Sequence, residues 1–277
     1  MDKVLAPGLH IVATPIGNLG DLSPRAADVL RNADRILAED TRVTAKLLAH
    51  IGAKVPMTRY DDHSSEAERD RIIARLGEEA IALVSDAGTP LISDPGYKLV
   101  RAARASGHRV HTVPGPCAAI AALTLAGLPS DRFLFLGFLP AKAKARADAI
   151  AEIARLRATL VLYESGPRLG GTLFALSAEL GEREAAVIRE ITKLYEECVT
   201  GTLGQLANRY ADDFPKGEIV IVVGPSADLE TVSDETLDKL LDQALLRLSP
   251  SRAAAEVAEQ LNIPRKRVYA RALERTR

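Results

Sequence analysis

The chain has 277 residues, 47% apolar and 26% charged, with a formal net charge of −1. That is ordinary globular composition, long enough for two domains with sizeable cores, and the near-zero charge excludes a protein that binds polyanions over its whole surface. Its two cysteines, Cys117 and Cys198, make no disulfide framework, and no Cys/His spacing suits zinc, so no metal is expected. No apolar run approaches the ~20 residues of a membrane span, and no signal-peptide pattern opens the chain. The expected compartment is cytoplasmic, with no membrane partner.

Leu9–Thr14 reads as a strand that ends in the turn-rich Pro15–Asp21. Ser23-Pro24 then opens a helix, serine as cap and proline at the first position. Arg35–Ala38 reads as a second strand, ending in Glu39-Asp40-Thr41-Arg42, and Val43–His50 as a helix. Thr58–Ser65 reads as a polar loop, and Ser65–Glu68 as the start of the next helix. Ile81–Ser85 is a short buried strand that breaks into Asp86-Ala87-Gly88-Thr89-Pro90 and Ser93-Asp94-Pro95-Gly96. So many Gly, Pro and Asp residues make a shaped loop, with Asp94 expected to cap a helix opened by Pro95. After a helix over Tyr97–Ala105 and a strand over Arg109–Val113, Pro114-Gly115-Pro116-Cys117 leads into Ala118–Ala126. This small-residue helix is able to approach a sheet or a ligand closely. Strand, loop and helix repeated four times read as parallel α/β. In such sheets functional groups gather at the carboxyl ends of strands.

Gly127–Asp131 reads as a linker, giving a first domain over 1–128 and a second over 129–226. The second holds strands at Phe133–Leu136, Thr159–Tyr163, Ala185–Ile188 and Ile219–Val223. Its helices are expected over Ala147–Arg157, Leu169–Leu180 (ended by Gly181) and Leu203–Ala211. Pro140–Arg146 is a basic stretch between two of these elements. A third region, 233–277, reads as three helices with Asn262-Ile263-Pro264 as a turn, a helix-turn-helix outline. Ser249–Arg277 carries seven basic and three acidic residues. Arg265, Lys266, Arg267 and Arg271 on its last helix suit phosphate contacts; a small structural or dimerisation bundle is the alternative.

No GxGxxG follows a strand, and there is no Walker A sequence or GxSxG elbow. Residue logic alone reaches a two-domain α/β protein with a ligand cleft. Seven blocks carry it further: 11–26 (IVATPIGNLGDLSPRA), 36–42 (ILAEDTR), 84–96 (VSDAGTPLISDPG), 113–123 (VPGPCAAIAAL), 162–169 (LYESGPRL), 189–197 (REITKLYEE) and 216–223 (KGEIVIVV). In order and content they resemble the tetrapyrrole-methylase superfamily, and within it the branch that methylates small-subunit ribosomal RNA. The pattern departs from the tetrapyrrole-methylating relatives at Pro15–Asp21 and at Ser85–Gly88, which argues against a porphyrin or corrin substrate.

The resemblance implies two α/β domains with an S-adenosylmethionine cleft between them, plus the small all-α tail. It implies a homodimer that methylates a ribose 2′-hydroxyl of a cytidine in the decoding region of 16S ribosomal RNA, with that RNA or the small subunit as partner. Asp86, Ala87, Gly88, Thr89, Pro90, Cys117, Ala118, Tyr163, Glu164, Ile191, Gly217, Glu218 and Ile219 are its implied cofactor contacts. Since the sulfonium already activates the methyl group, the protein needs mainly to align the hydroxyl and accept its proton. Asp40 and Glu190, at strand ends, are the candidate bases. Arg42, Arg189 and Lys193 are candidates to hold a phosphate or stabilise developing charge, and Asn18 and Asp21 to meet substrate. Asp40, Glu190, Arg42, Arg189 and Lys193 each have a structural ion pair as the alternative role. A tetrapyrrole-type small-molecule methyltransferase and a non-catalytic RNA-binding module are the competing functions.

Overall fold

The computed structural model describes residues 5–212, 214–226, 234–261 and 265–275. They fall into two compact units, Met1–Pro225 and Ser226–Arg277.

The first unit begins with a sheet of β1 (Gly8–Val12), β2 (Arg35–Ala38), β3 (Met57–Arg59), β4 (Ala80–Val84) and β5 (Val110–Val113). Its order is β3-β2-β4-β1-β5 and every pair is parallel. Helices α1 (Pro24–Asn32) and α2 (Thr41–His50) cover one face, and α3 (Glu66–Arg75) and α4 (Tyr97–Ala105) the other. The strands alternate between the two cores with the period of a pleated chain. Ile36, Ala82 and Val84 face Val29, Leu30 and Leu47. Leu37, Ile81 and Leu83 face Ile72, Leu76 and Leu99. Burial on both sides explains why β1 and β4 are wholly buried.

Local chemistry sets the helix starts. Ser23 Oγ accepts a hydrogen bond from the Ala26 N–H at 3.1 Å, with Pro24 in the first turn. Ser65 and Glu68 close a capping box. Two expectations need correction. The stretch read as a polar loop from Thr58 begins inside the edge strand β3, which is too short and too exposed to show a hydrophobic pattern. The helix after the Asp86–Gly96 loop starts at Tyr97, with Gly96 (φ 133°) at its cap and no side-chain cap bond. Leu91 and Ser93 lie in the left-handed region and wind the loop away from an earlier start. Asp62 accepts from the Gly96 N–H at 3.1 Å, leaving Asp94 for the cavity described below.

The second sheet comprises β6 (Phe133–Phe138), β7 (Thr159–Ser165), β8 (Glu184–Arg189), β9 (Glu197–Thr202) and β10 (Glu218–Val223). The order is β6-β7-β10-β8-β9; only β6 and β7 are parallel. Strand β9 was not anticipated, since ECVTGT has a polar, partly exposed edge composition. One face is covered by α6 (Ala143–Ile153), α7 (Gly166–Leu180) and α8 (Leu203–Arg209). Gly181 ends α7 as expected.

The other face receives α5 (Ala118–Leu125), the last helix of the N-terminal half. Ala119, Ala122, Leu123 and Ala126 pack on Val161, Ala186, Ile188, Val220 and Val222. The boundary expected at 128/129 falls just after α5, a helix of the first half that packs on the second sheet, and residues Met1–Pro225 form one compact unit.

The C-terminal unit contains α9 (Asp234–Leu245), α10 (Pro250–Leu261) and α11 (Arg265–Arg275) around Leu237, Leu241, Ala254, Val257, Val268 and Ala272. The expected turn at Asn262–Pro264 lies outside the described residues. Among the described residues, no helix is long and apolar enough to cross a membrane.

Gly170 gives a test of the second core. In a helix interior alanine is better than glycine by ~1 kcal/mol. A Cβ at Gly170, however, would run into the carbonyl oxygen of Tyr210, and overpacking costs ~1–3 kcal/mol. Gly170→Ala is expected to lower the midpoint of chemical denaturation. A midpoint at or above that of the parent would show that the segment after Tyr210 shifts freely.

Candidate active site

The strand-end loops of the first sheet and one end of the second sheet enclose a cavity of about 410 Å³, within the range of small-molecule sites. One wall is Asp86–Thr89 and Ile92–Asp94, with Glu39 from the end of β2. The opposite wall is Phe138, Tyr163–Ser165 and Gly217–Val220. Cys117 and Ala118, at the start of α5, and Ile16 and Ile191 complete it.

Short contacts set this shape. Thr14 and Gly88 form an isolated bridge, with N–H···O distances of 2.8 and 3.1 Å. Thr89 Oγ1 donates to the Pro116 carbonyl at 2.8 Å, tying the loop after β4 to the turn before α5. The Ala119 N–H donates to Tyr163 Oη at 3.2 Å, linking α5 to β7. At the rim the Asn18 N–H donates to Thr192 Oγ1 at 3.2 Å, so a loop of the first sheet touches one of the second.

Of the residues expected to hold a cofactor, Asp86, Ala87, Gly88, Thr89, Cys117, Ala118, Tyr163, Glu164, Ile191, Gly217, Glu218 and Ile219 line the cavity; Pro90 does not. Glu164 is also structural: Thr172 Oγ1 and the Ser165 N–H donate to its two oxygens at 2.7 and 2.8 Å. Ile16, Glu39, Ile92, Ser93, Asp94, Phe138, Ser165 and Val220 also line the cavity, beyond the expected cofactor contacts. Glu39, Ser93 and Asp94 sat inside motifs already noted, so proximity to those motifs was the available signal. Phe138 gave none, because its direction depends on a bulge in β6.

Three carboxylates meet on the first-sheet wall. Burial pushes the Asp94 carboxyl up to about 6, with Glu39 and Asp86 adding repulsion and a Ser85 hydrogen bond opposing. Glu39 is also raised, first by burial and then by Asp86. Asp86 Oδ1 accepts from the Asp40 N–H at 2.9 Å.

The expected bases lie elsewhere and in a different electrostatic state. Asp40 caps α2 and holds the Arg42 guanidinium at 2.6 Å. The Arg42 hydrogen bonds keep its carboxyl at about 2, so it is a poor proton acceptor. Glu190 is paired with Lys193 at 2.9 Å, which lowers its carboxyl; Lys193 also reaches Glu218 at 2.9 Å. Arg189 binds Glu197 at 2.6 Å. Asp40, Arg42, Glu190 and Lys193 stand outside the cavity lining. Asn18 caps the exposed turn that contains Asp21.

In the C-terminal unit, Arg265 donates to Ser251 Oγ at 2.9 Å and Lys266 is exposed. The side chain of Arg267 lies outside the described residues. Arg271 is engaged by Asp238 at 2.7 and 2.8 Å, a structural clamp between α11 and α9. The charge balance expected for this region also changes once the preceding residues are included, since residues 226–277 hold nine basic and nine acidic side chains.

A sequence profile described as Tetrapyrrole (Corrin/Porphyrin) Methylases matches residues 8–207, and one described as RsmI C-terminal HTH domain matches 231–276. Among solved structures, the uroporphyrin-III-C-methyltransferase of Thermus thermophilus shares the fold, with a TM-score of 0.56 and 24% identity over 78% of this chain and 93% of that one. The chain belongs to the tetrapyrrole methylase family. It is 54% identical to the ribosomal RNA small subunit methyltransferase I of Erythrobacter litoralis, over 98% of this chain and 96% of the relative. Its identity to the protein of that name from Xylella fastidiosa (strain Temecula1) is 50%, over 95% and 98%. Within the family it stands in the branch of those proteins.

The raised Asp94 carboxyl has a consequence for stability. Its folded value, about 6, exceeds the ordinary 3.8. The folded protein therefore holds a proton that the unfolded chain releases, and stability falls as pH rises through that window and stays lower above it. In the ligand-free protein, Asp94→Asn is expected to raise the melting temperature at pH 8, with the gain vanishing near pH 4. An equal or lower melting temperature at pH 8 would refute the assignment.

Proposed function

We propose that this protein transfers a methyl group from S-adenosylmethionine to the 2′-hydroxyl of a cytidine in the decoding region of 16S ribosomal RNA. One observation carries the reading. The blocks that resemble the rRNA-methylating branch supply most of the wall of a single cavity, in a chain 54% identical to a ribosomal RNA small subunit methyltransferase I.

The donor set fits the cofactor. Ile16, Ile92, Ile191, Ile219 and Val220 offer apolar surface for a nucleoside, and Glu39 and Asp86 offer negative charge for a cation. The sulfonium, when bound, supplies a methyl group already activated as an electrophile. The residues of the chain then have three tasks: to seat that cation against the carboxylates, to align the ribose oxygen, and to take the hydroxyl proton as the new O–C bond forms. Asp40 and Glu190 are both held below the usual carboxylate range by cations. Asp94 is in the cavity and remains basic at neutral pH, and we assign the proton to it. The Asp40–Arg42 and Glu190–Lys193–Glu218 pairs then serve to hold the loops that frame the substrate. The compartment proposed is the cytoplasm and the assembly a homodimer, as in the branch it resembles. Arg265, Lys266 and Arg267 are the proposed phosphate contacts of the helical unit.

Incubation with methyl-labelled cofactor and small ribosomal subunits, followed by mapping, is expected to place label on a cytidine ribose. Label on a base, or on a porphyrin precursor and not on RNA, would sink the reading. Asp94→Asn is expected to lower kcat about 100-fold with the KM for RNA unchanged; a parental kcat would remove Asp94 from the proton path. Deleting 226–277 is expected to weaken RNA binding and flatten its salt dependence while cofactor affinity persists. An unchanged salt slope would make that unit structural.

A further inference from the structure

The basic stretch Pro140–Arg146 has no role in the cleft as described so far, yet it begins two residues after Phe138, which lines the cavity. β6 is an edge strand, and its register against β7 shifts between Phe135 and Gly137. The extra residue reverses the alternation, as bulges beside functional sites do. Phe135 and Phe138, three apart, consequently share a face, and both meet the Tyr163 ring edge-on, with centroids at 4.9 and 5.7 Å. Gly137 takes φ 61°, and a Cβ there would lie 3.0 Å from Ser93 Oγ on the opposite wall. The bulge thus presses against the cavity and turns Phe138 to its mouth.

Phe138 lines the cavity and is still 56% exposed. A ring that lines a cavity and is also open to solvent has a face free to stack on a ligand held there. The chain beyond it is fixed. Leu139 is buried in the second core, and its carbonyl accepts from Arg168 Nη2 at 2.6 Å. Arg168 in turn faces the buried Glu164 at 3.3 Å. Four and six residues past the ring come Lys142 and Lys144, both exposed and with no carboxylate partner among the described residues. The first turn of α6 has no acidic side chain. By contrast, the opposite rim neutralises its cations internally, through Glu190, Glu197 and Glu218.

We propose that Phe138, Lys142 and Lys144 form an RNA-docking rim at the mouth of the cavity. The phenyl ring stacks on a base beside the reacting ribose, and the two ammonium groups take phosphates of the same strand. This rests on the reading of RNA as substrate. An exposed ring beside unpaired lysines is the combination that single-stranded nucleic acid selects: the ring accepts any base face, and the charges track the backbone. The methylated group is a sugar hydroxyl, so the base is free to be gripped from the side. Neither lysine reaches the chemistry, and their effect is on substrate affinity.

The test uses the full-length protein, isolated small ribosomal subunits, and a single-stranded oligonucleotide of the decoding-region sequence. Lys142→Ala/Lys144→Ala is expected to raise the KM for subunits about tenfold and to weaken oligonucleotide binding, with the salt slope lowered by roughly 1.5 for two lost phosphate contacts. Cofactor affinity and melting temperature are expected to stay at parental values. Phe138→Ala and Phe138→Leu are expected to raise KM about tenfold, and Phe138→Trp to restore it, because stacking and not bulk is required. A parental KM and slope in the lysine variant overturn the proposal, as does a parental KM for Phe138→Leu. Weaker binding of subunits with unchanged oligonucleotide binding also overturns it, in favour of a ribosomal protein contact. If the parent methylates no RNA, the functional reading fails instead.

Discussion

One short helix makes the site possible. α5 leaves the parallel sheet and lies on the second sheet, with Ala119, Ala122 and Leu123 against Ala186, Ile188, Val220 and Val222. Small side chains on both partners let helix and sheet approach closely, and the loss of water from this face is the driving term. The cavity opens where that helix begins, at Cys117 and Ala118. This contact brings the strand-end loops of the first sheet opposite β7 and β10. The Tyr163–Ala119 hydrogen bond and the Asn18–Thr192 contact then fix the closed geometry.

Charge is distributed by depth. At the exposed rims, acids and bases neutralise one another: Asp40 with Arg42, Glu190 and Glu218 with Lys193, and Arg189 with Glu197. Such exposed pairs add little stability on their own, but they order loops that would otherwise sample many conformations. Inside the cavity, Glu39, Asp86 and Asp94 meet with no cation among the lining residues. That imbalance is unfavourable in the free protein and is relieved by a bound cation, which is the character of a binding site and not of a folding core. The same division separates the two edges of the second sheet. The β9 side holds its cations in pairs, and the β6 side leaves Lys142 and Lys144 open.

The helical unit follows another logic. Its core is aliphatic and small, and two of its arginines, Arg271 and Arg275, are used to bind α11 to Asp238 and Asp242 of α9. At the start of α11, Arg265 and Lys266 stand beside Ser251 and Tyr269. The basic composition of Ser249–Arg277 overstated the charge of the unit, since compensating acids precede that stretch in the sequence.

By itself the sequence determined the alternation of strands and helices in the first half (apart from the edge strand β3), the caps at Ser23 and Ser65, the stop at Gly181, and the loops that line the cavity. These are local matters: period, capping and turn chemistry act within a few residues, and so they can be read along a chain. The cavity residues in the seven blocks were legible for the same reason. Tertiary structure alone decided the rest. The polar edge strand β9 exists because β8 pairs with it. Asp94 is a cavity carboxylate and not a cap because Asp62, distant in sequence, holds the helix start. Phe138 faces the cavity because one extra residue in β6 shifts the register against β7. Each of these depends on a neighbour on another strand or loop, which only folding brings into contact.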